Sequence, residues 1–100
     1  MKLYLVHCGY YDQEIMDGLY EGHVNLFVAA ESFEEARSKA KRHPLFQEKR
    51  MHVDGLQQID AIDGFRVTLE EDRALDGRST VQTDRYRGLA PKNPEKPSLH

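Results

Sequence analysis

The stretch from residue 23 to residue 43, HVNLFVAAESFEEARSKAKRH, constrains the fold more than any other segment of the chain. At the start of this stretch, the alternate positions of an extended chain place only apolar side chains on the same face: Val24, Leu26, Val28 and Ala30. Ser32 then offers an N-cap oxygen, and Glu35, three residues later, completes the pattern of a capping box. The stretch therefore predicts a strand that turns directly into a helix, which ends before Pro44.

Further strands are predicted on both sides of this unit. Residues 2–9, KLYLVHCG, are apolar on both faces, which is typical of a strand in the middle of a sheet. Residues 10–22 form a long, tyrosine-rich loop, and residues 45–50 form a short charged connection. Residues 51–62 predict a strand with a bend or bulge at Gly55.

The pair Asp63-Gly64 is a strong signal for a two-residue hairpin turn. Residues 65–70 continue it with a clean alternation, in which three apolar side chains point inward: Phe65, Val67 and Leu69. The order of elements is then β-β-α-β-β. We expect an α+β domain over residues 1–70, with one helix packed on one face of a mostly antiparallel four-stranded sheet.

The remainder of the chain is polar. Residues 71–87 form an extension in which STVQTDRY, after another Asp-Gly turn, could add a fifth strand. Residues 88–100 contain a proline at every third position from Pro91, which favours an extended, disordered tail. The tail also resembles a ligand for aromatic-lined grooves, although a solvated tail explains the same composition.

Composition excludes several classes of protein. The chain has 100 residues and a formal net charge of -3, whereas nucleic-acid binders need a concentrated positive surface. No apolar run approaches the ~20 residues of a membrane span, and the short apolar opening segment does not form a signal peptide. The single cysteine excludes an internal disulfide and fits a reducing compartment. We therefore expect a cytoplasmic protein that binds neither nucleic acid nor membranes.

One helix covers only one face of the predicted sheet. The other face must be covered by the tail, by a second copy of the domain or by a ligand, and we expect a homodimer. The aromatic residues of this face and of the long loop are the candidate binding residues: Tyr10, Tyr11, Tyr20 and Phe27.

Candidate catalytic side chains lie at or near strands that should be neighbours: His7, Glu21, His23, His52 and Asp54. Imidazoles with a carboxylate can carry out acid-base chemistry or bind zinc or iron, so the three histidines are also the candidate metal ligands. No metal-binding spacing such as C-x-x-C occurs, and histidines on adjacent strands are commonly structural. The sequence therefore predicts no cofactor and no defined metal site.

Cys8 follows His7 directly, so the two side chains point to opposite faces of a strand and cannot form a catalytic dyad. A lone cysteine in an apolar strand is most often a buried, inert thiol.

Several short segments together resemble the small bacterial family catalogued as domain of unknown function 1543. They are KLYLVHCGYY at the start, Glu21-Gly22-His23-Val24 leading into LFVAAESFEEA, HVDG at residues 52–55 and IDAIDGFRVTL at residues 59–69. The resemblance covers residues 1–70 and implies a bacterial protein of compact α+β build, in which the domain sometimes occurs twice per chain. It implies no catalytic role for any residue, because the family has no established activity.

The sequence thus favours a non-enzymatic, homodimeric module that binds a protein or a small molecule. The alternative is a small hydrolase or isomerase that works through the histidine and aspartate cluster, with or without a metal.

Overall fold

The computed structural model describes residues 1–84 and has an α+β architecture built on a three-stranded antiparallel sheet. Its elements are β1 (Lys2–Asp12), β2 (Tyr20–Ala30), α1 (Phe33–Lys41), α2 (Pro44–Glu48), β3 (His52–Ile59), β4 (Ala61–Ile62) and β5 (Phe65–Arg66). Two 3-10 turns cover Met16–Gly18 and Arg73–Leu75. The strand order is β2-β1-β3, so β1 is the central strand, as its two apolar faces predict.

The four-stranded sheet predicted from the sequence is wrong. β4 and β5 form a separate two-stranded hairpin that does not extend the main sheet. The predicted Asp63-Gly64 turn is confirmed, because φ is 54° at Asp63 and 86° at Gly64, the positive values that a tight hairpin turn needs.

The predicted inward orientation of the residues after this turn is also wrong, because Phe65 is 75% exposed. Alternation separates the two faces of a strand but does not say which surface covers the apolar one. Residues 71–84 contain no strand. The rest of the proposed fifth strand and the proline-rich tail lie outside the described residues.

Residues 10–22 are not the long loop that the sequence predicts. β1 and β2 pair continuously from Lys2 with Ala30 to Asp12 with Tyr20, and only residues 13–19 connect them. Tyrosine has a high strand propensity, and Tyr10 and Tyr11 extend β1 with side chains on opposite faces.

The connection after α1 is likewise more ordered than predicted. His43 caps α2 by accepting the backbone N–H of Leu45 at Nδ1, and Pro44 occupies the first turn, where its missing N–H is tolerated. Phe46 of α2 is buried in the core. Pro44 therefore separates two helices, whereas the sequence predicts a simple stop.

The predicted N-cap of α1 is confirmed, whereas the Glu35 side chain bonds the residue before the N-cap, Glu31, rather than Ser32 as a capping box would. The Ser32 hydroxyl accepts the backbone N–H of Glu35 at 3.1 Å, and the Glu35 carboxylate accepts the backbone N–H of Glu31 at 2.6 Å. Ala36 and Ala40 are fully buried, so the helix lies close against the sheet. The core fills this side of the sheet and includes Tyr4, Val6, Cys8, Leu26, Phe46 and Met51.

The opposite side of the sheet, called here the open face, has no helix over it within residues 1–84. Strand pairing divides this face into an apolar end and a polar end. The apolar end carries Leu3, Leu5, Phe27, Ala29 and Ile59. The polar end carries His7, Gly9, Glu21, His23, His52 and Asp54. No helix among the described residues is long and apolar enough to cross a membrane.

Candidate metal centre

The polar end of the open face is organised around Gly9 of the central strand. Gly9 pairs with His23 of β2 on one side and with His52 of β3 on the other. Glu21 lies two residues before His23, so both side chains share the open face. Two edge strands therefore bring side chains to a single point above the central strand.

Asp54 reaches the same point because β3 is irregular there. His7 pairs with Gly55 and Cys8 pairs with Val53, which leaves Asp54 as an extra residue in β3. His52 and Asp54 lie two residues apart, so both side chains share the open face, and a bulge of this kind re-aims the Asp54 side chain. The bend or bulge predicted at Gly55 is confirmed at the adjacent residue.

The four side chains form what we call the four-donor cluster: Glu21, His23, His52 and Asp54. The His23 Nε2 atom lies 3.5 Å from Glu21 Oε2 and 3.5 Å from Asp54 Oδ2. The His52 Nε2 atom lies 3.4 Å from Glu21 Oε2 and 3.1 Å from Asp54 Oδ1. Each imidazole nitrogen thus lies between the same two carboxylates.

These separations distinguish two kinds of interaction. A charge-assisted N–H···O hydrogen bond is about 2.7–2.9 Å long, and three of the four separations are at least 3.4 Å. In contrast, donors about 2.1 Å from one tetrahedral ion are about 3.4 Å from each other. The imidazole–carboxylate separations therefore resemble those between ligands of a metal ion more than those of direct ion pairs, and the donors divide into two groups that share Asp54.

Gly9 provides the space in which the donors converge. A Cβ atom at this position would lie 2.7 Å from Asp54 Oδ2, 2.7 Å from His52 Nε2 and 3.0 Å from Glu21 Oε2. Any side chain would push these donor atoms away, so the absence of one is a requirement of the site. Sequence analysis missed Gly9, although a glycine within an otherwise apolar strand often marks a close approach.

His7 lies beside the cluster. Its ring stacks on that of His23 with centroids 4.9 Å apart and an interplanar angle of 16°. Its Nδ1 atom lies 2.7 Å from Asn25 Oδ1. Because an amide oxygen only accepts hydrogen bonds, Nδ1 is the donor, and in the neutral imidazole the lone pair is then on Nε2. All five candidate residues predicted from the sequence therefore meet on one face, in one place.

The cluster is accessible to solvent. Its four side chains are between 33% and 44% exposed, so an ion can enter from the open face. Two carboxylates balance the charge of a divalent cation, and two neutral imidazoles complete a mixed nitrogen and oxygen donor set.

The four aromatic residues predicted to form a binding surface do not lie together. Tyr11 and Phe27 lie on the open face, where the Tyr11 ring is 5.8 Å from that of His52. Tyr10 lies on the helix side, with Lys49 Nζ 4.8 Å from its ring centroid, and Tyr20 belongs to the same side by its register. Successive side chains of a strand point to opposite faces, so Tyr11 and Phe27 are separated from Tyr10 and Tyr20. The predicted binding surface also depended on a long loop, and most of that loop is part of β1 and β2.

Cys8 does not belong to this site. Its thiol is fully buried on the helix side of β1, whereas the histidines lie on the open face. Burial raises the pKa of the Cys8 thiol, and the nearby Asp54 carboxylate raises it further. A protonated, buried thiol is a poor nucleophile and a poor metal ligand.

Comparison with protein families assigns the chain to a group of related proteins. The family model described as Domain of Unknown Function (DUF1543) matches residues 18–69. The chain belongs to the DUF1543 family. The matched range contains all four residues of the four-donor cluster, while Gly9 and His7 precede it. Neither the curated proteins nor the solved structures give a match for this DUF1543 chain.

Proposed function

We propose that this DUF1543 protein is a small metal-binding module whose four-donor cluster holds a divalent transition-metal ion. The observation that carries the proposal is the closed set of contacts, 3.1–3.5 Å long, in which both imidazole nitrogens face both carboxylates. Mixed imidazole and carboxylate donors suit zinc and neighbouring metals. A binding role is the simplest function that this geometry supports.

Zinc titration calorimetry on the full chain tests the proposal. We expect the His23→Ala and His52→Ala variants to bind zinc at least about a hundredfold more weakly, because each loses a direct ligand. His43→Asn is the matched control, since His43 lies outside the cluster and asparagine retains an N-cap acceptor for α2. Equal zinc affinity in all four proteins would contradict the proposal.

We also propose that the protein is a homodimer, as the single-sided core suggests. Residues 61–84 expose several large apolar side chains, including Ile62, Phe65, Leu75 and Val81. The apolar end of the open face is also accessible, with Phe27 55% exposed. One chain thus carries an exposed apolar segment and an exposed apolar sheet face, and a two-fold dimer can bury each against the other. The polar end of the face would remain free for metal.

Sedimentation equilibrium tests the dimer. We expect wild-type protein at twice the chain mass, and Phe65→Ser to dissociate about a thousandfold more readily, since the dimer buries two copies of Phe65 and each contributes about 2 kcal/mol. Leu19→Ser is the matched control, because Leu19 is as exposed as Phe65 but lies in the connection between β1 and β2. A monomeric wild-type protein, or equal dissociation of both variants, would refute the dimer.

A further inference from the structure

We propose that the polar end of the open face holds two divalent transition-metal ions bridged by Asp54, a proposal that rests on the metal-binding function above. Two groups of donors support it. His7, His23 and Asp54 form one group, and Glu21, His52 and Asp54 form the other. Within each group the donor atoms all lie within 4.8 Å of one another.

Asp54 is the residue that the two groups share, and its two oxygens face different imidazoles. Oδ1 lies 3.1 Å from His52 Nε2, whereas Oδ2 lies 3.5 Å from His23 Nε2. A carboxylate that offers one oxygen to each side is suited to bridge two ions, which in two-metal sites lie about 3.5–4 Å apart. The bulge in β3 places Asp54 between the two groups.

His7 completes the first group. Its Nδ1 donates a hydrogen bond to Asn25 Oδ1, so Nε2 of the neutral imidazole is the atom that can bind a metal ion. The His7 ring stacks on the His23 ring, so the two imidazoles lie next to each other near Gly9. His52 and Glu21 supply the second group, and Glu21 Oε2 is also 3.5 Å from His23 Nε2, which allows a second bridge.

A two-ion centre differs from the simple binding module in its chemistry. Two adjacent ions present neighbouring positions that water and the oxygens of a substrate can occupy, and water still reaches this face. The hydrolytic alternative inferred from the sequence therefore depends on the number of ions bound.

The experiment is equilibrium dialysis of the full chain against zinc, followed by measurement of zinc and protein. We expect two zinc ions per chain for wild-type protein and for His43→Asn, and one for His7→Ala. His7 is exposed, so its replacement leaves the core intact, and circular dichroism checks the fold.

The outcomes separate this proposal from the one on which it rests. One ion in both wild-type protein and His7→Ala would overturn the two-ion centre and leave the metal-binding function standing. Two ions in His7→Ala would also overturn it, because the second ion would then lie elsewhere. No bound zinc in wild-type protein would overturn both proposals.

Discussion

Replacing Gly9 with alanine is expected to weaken zinc binding at least about a hundredfold while the fold persists. The new Cβ would lie 2.7 Å from both Asp54 Oδ2 and His52 Nε2, so the donors must move apart. These atoms are the free ends of flexible side chains, and they can rotate away without disturbing the backbone. We therefore expect the free energy of unfolding, measured without metal, to change by no more than about 1 kcal/mol.

Gly55→Ala is the matched control for this substitution. Gly55 lies on β3 opposite His7, close to the same site, but a Cβ atom there would have no heavy atom within 4 Å. Calorimetry should give the wild-type zinc affinity for Gly55→Ala and a much lower one for Gly9→Ala. Undiminished binding by Gly9→Ala would mean that zinc does not use the space above Gly9.

Zinc is expected to stabilise the wild-type protein by about 2.7 kcal/mol when free zinc is a hundred times the Kd. The ion would join β2 to β3 across β1, because Glu21 and His23 come from one edge strand and His52 and Asp54 from the other. In a domain of this size that gain raises Tm by about 10–20 °C. Thermal unfolding with zinc and with a chelator measures the difference.

The same experiment on Gly9→Ala identifies where the stabilising ion binds. We expect zinc to leave the Tm of this variant almost unchanged, because the donors no longer converge. An equal rise in Tm for both proteins would place the stabilising zinc at another set of ligands and would contradict the four-donor cluster.

The helix and the centre of the sheet could be predicted because local chemistry decides them. Ser32 and Glu35 satisfy backbone groups at the start of α1 whatever surrounds them. A strand that is apolar on both faces is typical of the middle of a sheet, and residues 2–9 do belong to the central strand. The position of the β4-β5 hairpin was harder to predict. The alternation that begins at Phe65 identifies an apolar face of the strand, but it does not identify the surface against which that face packs.

The candidate site could be predicted in its membership but not in its geometry. The order of elements predicts His7, His23 and His52 on adjacent strands, and in the structure these side chains lie close together on one face. The role of Gly9 depends on the register of three strands, and that of Asp54 depends on a bulge whose position no short pattern fixes. Long-range pairing therefore determines how the donors are arranged.

Anomalous diffraction at the zinc edge from zinc-loaded crystals tests the metal-binding proposal most directly. We expect a peak above Gly9, about 2.0–2.2 Å from the His52 imidazole nitrogen and from carboxylate oxygens of Glu21 and Asp54. A second peak beside His7 would add the bridged ion. Zinc peaks found only at other residues, with none above Gly9, would contradict the account.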